Sequence, residues 1–273
     1  MIEEKHIIAK KWLILDATTI KLIAMVLMVL DHIHQMYAAA GAPLWLTMLG
    51  RPVFPLFLFI AADSFYYTKS RKSYLKRLLY ASWGMTVMTA FISRVFPNPN
   101  IVLMNNAFST FFVTGLYIQF WDWFVKGITE RKISLILKSL LGCTIPILCT
   151  APLFVAAALS FNENVPAILI RILAFIALLI PSILTVEGGF LLIILGVLFY
   201  ICRRKRILQV LILLIFSLMV YILDQNSIQW LMCGAAIPML LYNGERGRGL
   251  KQLFYIFYPA HIILLYLCAT IFS

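Results

Sequence analysis

The sequence predicts an all-α protein, a polytopic transmembrane bundle of about nine to eleven helices with no extramembrane domain. Three observations carry this. Of the 273 residues, 63% are hydrophobic and 12% charged, half the charge that a water-facing surface of this size needs. The apolar runs are long and continuous, unlike the alternating segments of about ten residues that build an outer-membrane barrel. The basic residues fall in short clusters between those runs, which marks cytoplasmic span ends. Together these exclude a soluble enzyme, a secreted disulfide scaffold and a disordered chain.

The net charge of +12 comes from 23 Lys and Arg against 11 Asp and Glu. In a soluble chain it would suggest nucleic acid as a partner; here the clusters account for it, and membrane lipid is the surrounding medium instead. Twenty of the 23 basic residues lie in five groups: Lys5 to Lys21, Lys69 to Arg77, Lys126 to Lys138, Arg203 to Arg206, and Arg246 to Lys251. Arg51, Arg94 and Arg171 remain. The five cysteines are scattered without a C-x-x-C pair and read as apolar filler, so no metal is expected.

The elements follow in order along a single domain, 1–273. Residues 1–17 form a cytoplasmic N-terminal segment. The first run, Ala17 to Ala40, ends in Ala-Ala-Ala-Gly like a cleaved signal, but Asp31 and His32 break its apolar stretch, so it is a retained helix. Leu44–Tyr67, Leu75–Val95 and Asn106–Trp123 follow, with Pro97-Asn98-Pro99-Asn100 as the turn before the last of these. Ile133–Thr185 contains Pro146, Pro152, Pro166, Pro181 and the polar break Asn162-Glu163-Asn164. With basic loops inside at Arg131 and Arg204, and Gly188–Cys202 crossing once, that stretch holds one or three crossings. Its two apolar segments therefore imply a half-span or three short helices. Ile207–Leu223, Ile228–Tyr242 and Leu253–Phe272 complete the chain, with the N-terminus inside and the C-terminus outside.

Ionisable groups within hydrocarbon cost about 2.5–3.5 kcal/mol or more, so each needs a reason. Asp31, His32, His34, Arg51, Asp63, Arg171 and His261 qualify, with Glu187 and Asp224 near span ends. Counted from Lys21, Asp31 and His32 lie about 15–17 Å along the first helix. Arg51 is eight residues beyond the outer turn at Pro43, as His32 is eight before Ala40, so both sit at one depth. His261, ten residues past Lys251, is again near the middle. Asp31 and His32 point about 100° apart on a helix, so Asp31 pairs with His32 or, equally well, with Arg51. A buried Asp–Arg pair also serves simply to hold helices together. Asp63, Arg171 and His34 read as structural. A midplane His with a nearby carboxylate suits proton transfer, which fits an enzyme and also a proton-linked transporter or flippase; no internal repeat supports the transporter. A structural subunit of an envelope assembly is the third reading.

Leu30-Asp31-His32-Ile33 in the first helix, with Gly50-Arg51-Pro52-Val53-Phe54-Pro55-Leu56-Phe57 opening the second, resembles the TraX family, membrane proteins named for acetylation of conjugative F-pilin. The family in turn is similar to the acyltransferase-three membrane enzymes. Asn105-Asn106-Ala107-Phe108, Glu187-Gly188-Gly189-Phe190 through Tyr200 and Arg203, Tyr242-Asn243-Gly244-Glu245-Arg246-Gly247, and Phe257-Tyr258-Pro259-Ala260-His261 match further family segments in order. Glu187 departs from the pattern, standing where the family usually has Tyr.

The resemblance implies a membrane O- or N-acetyltransferase of the bacterial cytoplasmic membrane. It would carry acetyl from acetyl-CoA to an amine or hydroxyl of a pilin-like peptide, a cell-envelope glycan or a small amphiphile. It implies His32 as catalytic base or acetyl carrier, Asp31 orienting it, Arg51 positioning the thioester, and Asn105 or Asn106 and His261 hydrogen-bonding the acetyl carbonyl or the acceptor. Tyr242, Asn243, Glu245 and Tyr258 belong to the matched segments and are assigned with the donor site. Lys72, Lys76, Arg77, Arg246 and Arg248 are candidates for the CoA phosphates, and Gly244, Gly247 and Gly249 allow close backbone approach. Partners are thus acetyl-CoA, lipid and the acceptor, with room for a homodimer.

Overall fold

A computed structural model describes residues 13–272; Lys5, Lys10 and Lys11 of the first basic cluster, and most of the 1–17 segment, lie outside them. The described chain is helical, with no strands and one isolated parallel bridge, Leu15 to Tyr242. The elements are α1 (Ala17–Tyr37), α2 (Trp45–Gly50), α3 (Val53–Tyr66), α4 (Arg71–Val95), α5 (Ala107–Thr129), α6 (Ile133–Leu148), α7 (Ala151–Leu159), α8 (Ala167–Leu179), α9 (Gly189–Ile201), α10 (Arg206–Leu223), a 3-10 helix (Ile228–Ala235), α11 (Ala236–Leu241) and α12 (Lys251–Phe272).

Five segments are long and apolar enough to cross a membrane: Ala17–Tyr37, Trp45–Tyr66, Ile133–Leu159, Arg206–Leu223 and Gln252–Phe272. Three apolar helices are shorter, and bulky side chains such as Ile222, Leu223 and Leu264 are exposed. This is a multi-pass membrane protein, in which lipid takes the place of a polar coat.

Two compact units divide the chain. The first gathers residues up to Ser64, Ile92–Leu103 and Leu198 onward; the second gathers Phe65–Phe91 and Met104–Val197.

In the first unit, Asp16 caps α1 by accepting from the Thr19 N–H at 2.7 Å, and that bond holds its carboxyl below the ordinary range. The Leu15 N–H donates to the Leu241 carbonyl and the Asn243 N–H to the Leu15 carbonyl, at 3.0 and 2.8 Å. The Thr18 hydroxyl reaches the carbonyls of Arg246 and Arg248. The start of α1 is thereby stitched to the loop that enters α12. Gly247, at φ +67°, lies where any Cβ would meet the Asp16 carboxylate.

The expected run Leu44–Tyr67 is two helices. Pro52 and Pro55 carry no N–H, so the ladder breaks at Arg51–Pro52 and α3 restarts at Val53. Ile228–Tyr242 likewise divides into the 3-10 helix and α11. In the second unit, Ile133–Thr185 holds three helices. The α6–α7 stretch reads as one 27-residue apolar segment interrupted at Cys149–Thr150, and α8 has 13 residues, about 20 Å and short of a full span.

Candidate functional site

His32, on α1, and His261, on α12, are the two buried histidines among the described residues, 4% and 7% exposed. Their rings meet with His32 Nδ1 at 2.7 Å from His261 Nε2. The ring planes are 24° apart and the centroids 4.9 Å. That separation is close to the N···N distance plus two ring radii, so the rings meet edge to edge, as an in-plane hydrogen bond requires.

The backbone assigns the protons. His261 Nδ1 lies 2.7 Å from the Phe257 carbonyl one turn earlier in α12, and a carbonyl only accepts. His261 therefore carries its proton on Nδ1 and, when neutral, presents a bare Nε2. His32 must then donate from Nδ1, which leaves the lone pair of its neutral ring on Nε2.

Asp31 takes the other of its two sequence alternatives. Its Oδ1 is paired with Arg51 Nη2 and accepts from the Thr47 hydroxyl at 2.5 Å. These are its hydrogen bonds; His32 is hydrogen-bonded to His261 instead, and Asp31 acts on His32 only as a neighbouring charge. The cause is the helical step of about 100° that turns the two side chains to different neighbours. Arg51 is nearly saturated: Nε donates to the Thr47 carbonyl at 3.1 Å, Nη2 also reaches Thr47 Oγ1 at 2.7 Å, and Nη1 donates to Gln229 Oε1 at 3.2 Å. Four of its five N–H groups thus have acceptors among the described residues. Gly50 makes this geometry accessible, since a Cβ there would occupy the place of the Asp31 side chain. His34 stands apart, its Nδ1 at 3.1 Å from the carbonyls of Ala42 and Pro43.

A second polar group in the same unit joins Asp63, Tyr242 and Arg206, which the sequence gives no reason to bring together. The Tyr242 hydroxyl donates to Asp63 Oδ2 at 3.0 Å. The Arg206 guanidinium lies over the Phe59 ring at 4.4 Å and the Tyr242 ring at 4.6 Å, and Arg203 stacks on Tyr200 at 4.5 Å. Asp63 had read as structural; the detectable signal was an acid in an apolar run with two arginines at the foot of another.

Of the donor-site candidates, Tyr258 is buried with its ring 6.0 Å from His261. Asn243 accepts the Glu245 N–H in an Asx turn, and Arg246 and Arg248 are exposed. Asn105, Asn106, Lys72, Lys76 and Arg77 belong to the second unit. Asn106 caps α5, donates its amide to Ser82 and Thr86, and gives its N–H to Glu187 at 2.8 Å; Thr110 donates to the Glu187 carbonyl. Glu187, the departure from the family pattern, is thus the acceptor that ties α5 to the entry of α9. Lys72, Lys76 and Arg77 are exposed on α4, whose Arg71 pairs with Asp122 at 2.6 Å.

The model of one family, described as TraX protein, matches residues 16–269, nearly the whole chain. No curated protein and no solved structure matches.

Proposed function

The chain belongs to the TraX family, and on that premise we propose that it is an integral membrane acetyltransferase. It resides in a bacterial cytoplasmic membrane with its N-terminus inside and draws on cytoplasmic acetyl-CoA. The acceptor is an amine or hydroxyl of a pilin-like peptide, an envelope glycan or a small amphiphile; the family's association is with pilin acetylation. The observation that carries the reading is the buried His32–His261 pair beside the Asp31–Arg51 pair, two ionisable dyads on adjacent residues of one membrane helix.

The chemistry follows from the proton assignment. His32 Nε2 removes the proton of the acceptor N–H or O–H as the acceptor's lone pair forms a bond to the thioester carbonyl carbon. The Nδ1 proton of His32 passes to His261 Nε2, and the Phe257 carbonyl holds the resulting imidazolium by its Nδ1–H. The carbonyl oxygen of the tetrahedral intermediate becomes an oxyanion, and the fifth N–H of Arg51, on Nη1, is the donor available to it. Collapse breaks the C–S bond, the relay runs backward, and the proton leaves His32 Nε2 for the departing thiolate. Asp31 and Thr47 hold Arg51 throughout, so the donor needs no reorganisation as charge develops.

The test is incubation of purified protein with acetyl-labelled acetyl-CoA, comparing wild type with His32→Ala for CoA release and label transfer. Wild-type turnover that His32→Ala loses supports the reading. A wild-type protein that neither binds CoA nor releases it sinks it.

A further inference from the structure

Arg206 has an arrangement that neither the helix packing nor the histidine chemistry uses. It stands at the first position of α10 with its guanidinium in the corner made by the Phe59 and Tyr242 rings, 4.4 and 4.6 Å from their centroids, the two rings lying edge to face at 87°. The Tyr242 ring is itself fixed by its hydroxyl bond to Asp63, and Phe59 is 1% exposed on α3. Yet the Arg206 side chain makes no hydrogen bond and no ion pair with any described residue; beyond the two rings, Asp63 acts on it only as a nearby charge. A half-buried guanidinium seated against two rings, with no protein acceptor taking its N–H groups, keeps the fork that receives two oxygens of one phosphate.

The distance to the histidine layer has a fitting length. Phe59 lies six residues into α3 from Val53, about 9 Å along that helix from its end beside Arg51. The bond path of a pantetheine arm, from thioester sulfur to the nearest phosphate, equals roughly four to five extended residues, about 15 Å. All these groups belong to one compact unit.

We infer that Arg206, seated in the corner of the Phe59 and Tyr242 rings, is a phosphate-binding site that anchors the diphosphate end of the acyl donor while its thioester reaches His32. This rests on the acetyltransferase reading for the donor's identity. The site itself, an arginine seated against two rings without a protein acceptor, is defined by phosphate chemistry, which a lipid headgroup also offers. Tyr242 acts here as a positioning residue: Asp63 fixes the ring, and the ring fixes the guanidinium.

The test uses the full chain in nanodiscs and measures binding of CoA, pantetheine and inorganic pyrophosphate to wild type, Arg206→Gln, Arg206→Lys and Arg204→Gln. Arg206→Gln weakens CoA and pyrophosphate by about tenfold or more, the worth of a charge-assisted bidentate contact. Arg206→Lys, which keeps the charge and thus the fold but not the fork, weakens them as well. Pantetheine, lacking phosphate, binds all four alike, and Arg204→Gln, exposed in the same loop, behaves as wild type. If the phosphate is a lipid's, pyrophosphate fails to bind. Wild type then melts at a higher temperature in phosphatidylglycerol than in phosphate-free galactolipid discs, and Arg206→Gln removes that difference. Wild type that binds pyrophosphate through Arg206 but ignores CoA keeps the site and overturns the donor reading. CoA and pyrophosphate affinities and a lipid dependence unmoved by both Arg206 variants overturn the site and leave the acetyltransferase reading intact.

Discussion

Gly50→Ala adds one methyl group at the point where α2 passes α1. That methyl would lie 2.6 Å from Asp31 Cγ and 2.8 Å from its Oδ1, and nearer still to Cβ. Carbon atoms rest at about 3.5–4.0 Å, so separations must grow by about 1 Å. The encroached Cβ is fixed to the α1 backbone, and no χ rotation moves it away, so the helices themselves must part. Overpacking of this kind costs about 1–3 kcal/mol. The same displacement withdraws Asp31 from Arg51 and Thr47, and a 1 Å misplacement at a reacting centre lowers rate by about 10²-fold. Gly84→Ala is the matched control, since a Cβ there meets nothing within 4 Å and Ala in a helix interior is worth about 1 kcal/mol over Gly. The expected outcome in detergent is a clearly lowered melting temperature and near-complete loss of acetyl transfer for Gly50→Ala, against an unchanged or raised melting temperature and full activity for Gly84→Ala. Equal melting temperatures and activities in the two variants would refute the close-approach argument.

Three further predictions concern the same unit. His261→Gln still offers an oxygen to His32 Nδ1–H but cannot take up a proton, so steady-state kinetics should show kcat reduced about 10²-fold or more with KM for acetyl-CoA little changed; unchanged kcat means that the relay ends at His32. Arg51→Lys replaces a fork serving Thr47, Asp31 and Gln229 by a single ammonium, and should lower stability by about 1–3 kcal/mol together with activity, while the charge-preserving swap leaves expression intact. Asp16 has its folded pKa below the ordinary value, so its cap contributes stability above that ordinary value, lost as pH falls through the lowered one; Asp16→Asn, which keeps the accepting oxygen, should flatten the melting temperature in the acid range and leave it unchanged near neutrality.

The depth of the site was legible because helical rise is rigid. Counting from Lys21, Pro43 and Lys251 puts His32, Arg51 and His261 in one layer; His32 and His261 are in contact there, and Arg51 pairs with Asp31, the residue next to His32. Pairing within the layer was not legible, since the rotation of one helix about its axis relative to another depends on packing that no periodicity encodes. The sequence therefore leaves Asp31 equally close to His32 and Arg51, and it is Thr47, with the close approach that Gly50 permits, that turns it toward Arg51. Gln229 could not have been found, coming from a 3-10 helix 178 residues away. The break at Arg51–Pro52 carried its signal in Pro52 itself, which the apolar run around it concealed. Arg206 was counted with its neighbours as an orientation signal, a role that conceals any contact it makes.

The two histidines are 229 positions apart in sequence, and that interval is also a waiting time. At about 5–20 residues per second, His32 leaves the ribosome roughly 10–45 s before its partner. Throughout that period the first helix carries a ring whose proton acceptor has not been made. The histidine pair therefore cannot form helix by helix during insertion. It closes only with α12, so a nascent chain cut short before α12 holds His32 without the ring that takes its hydrogen bond.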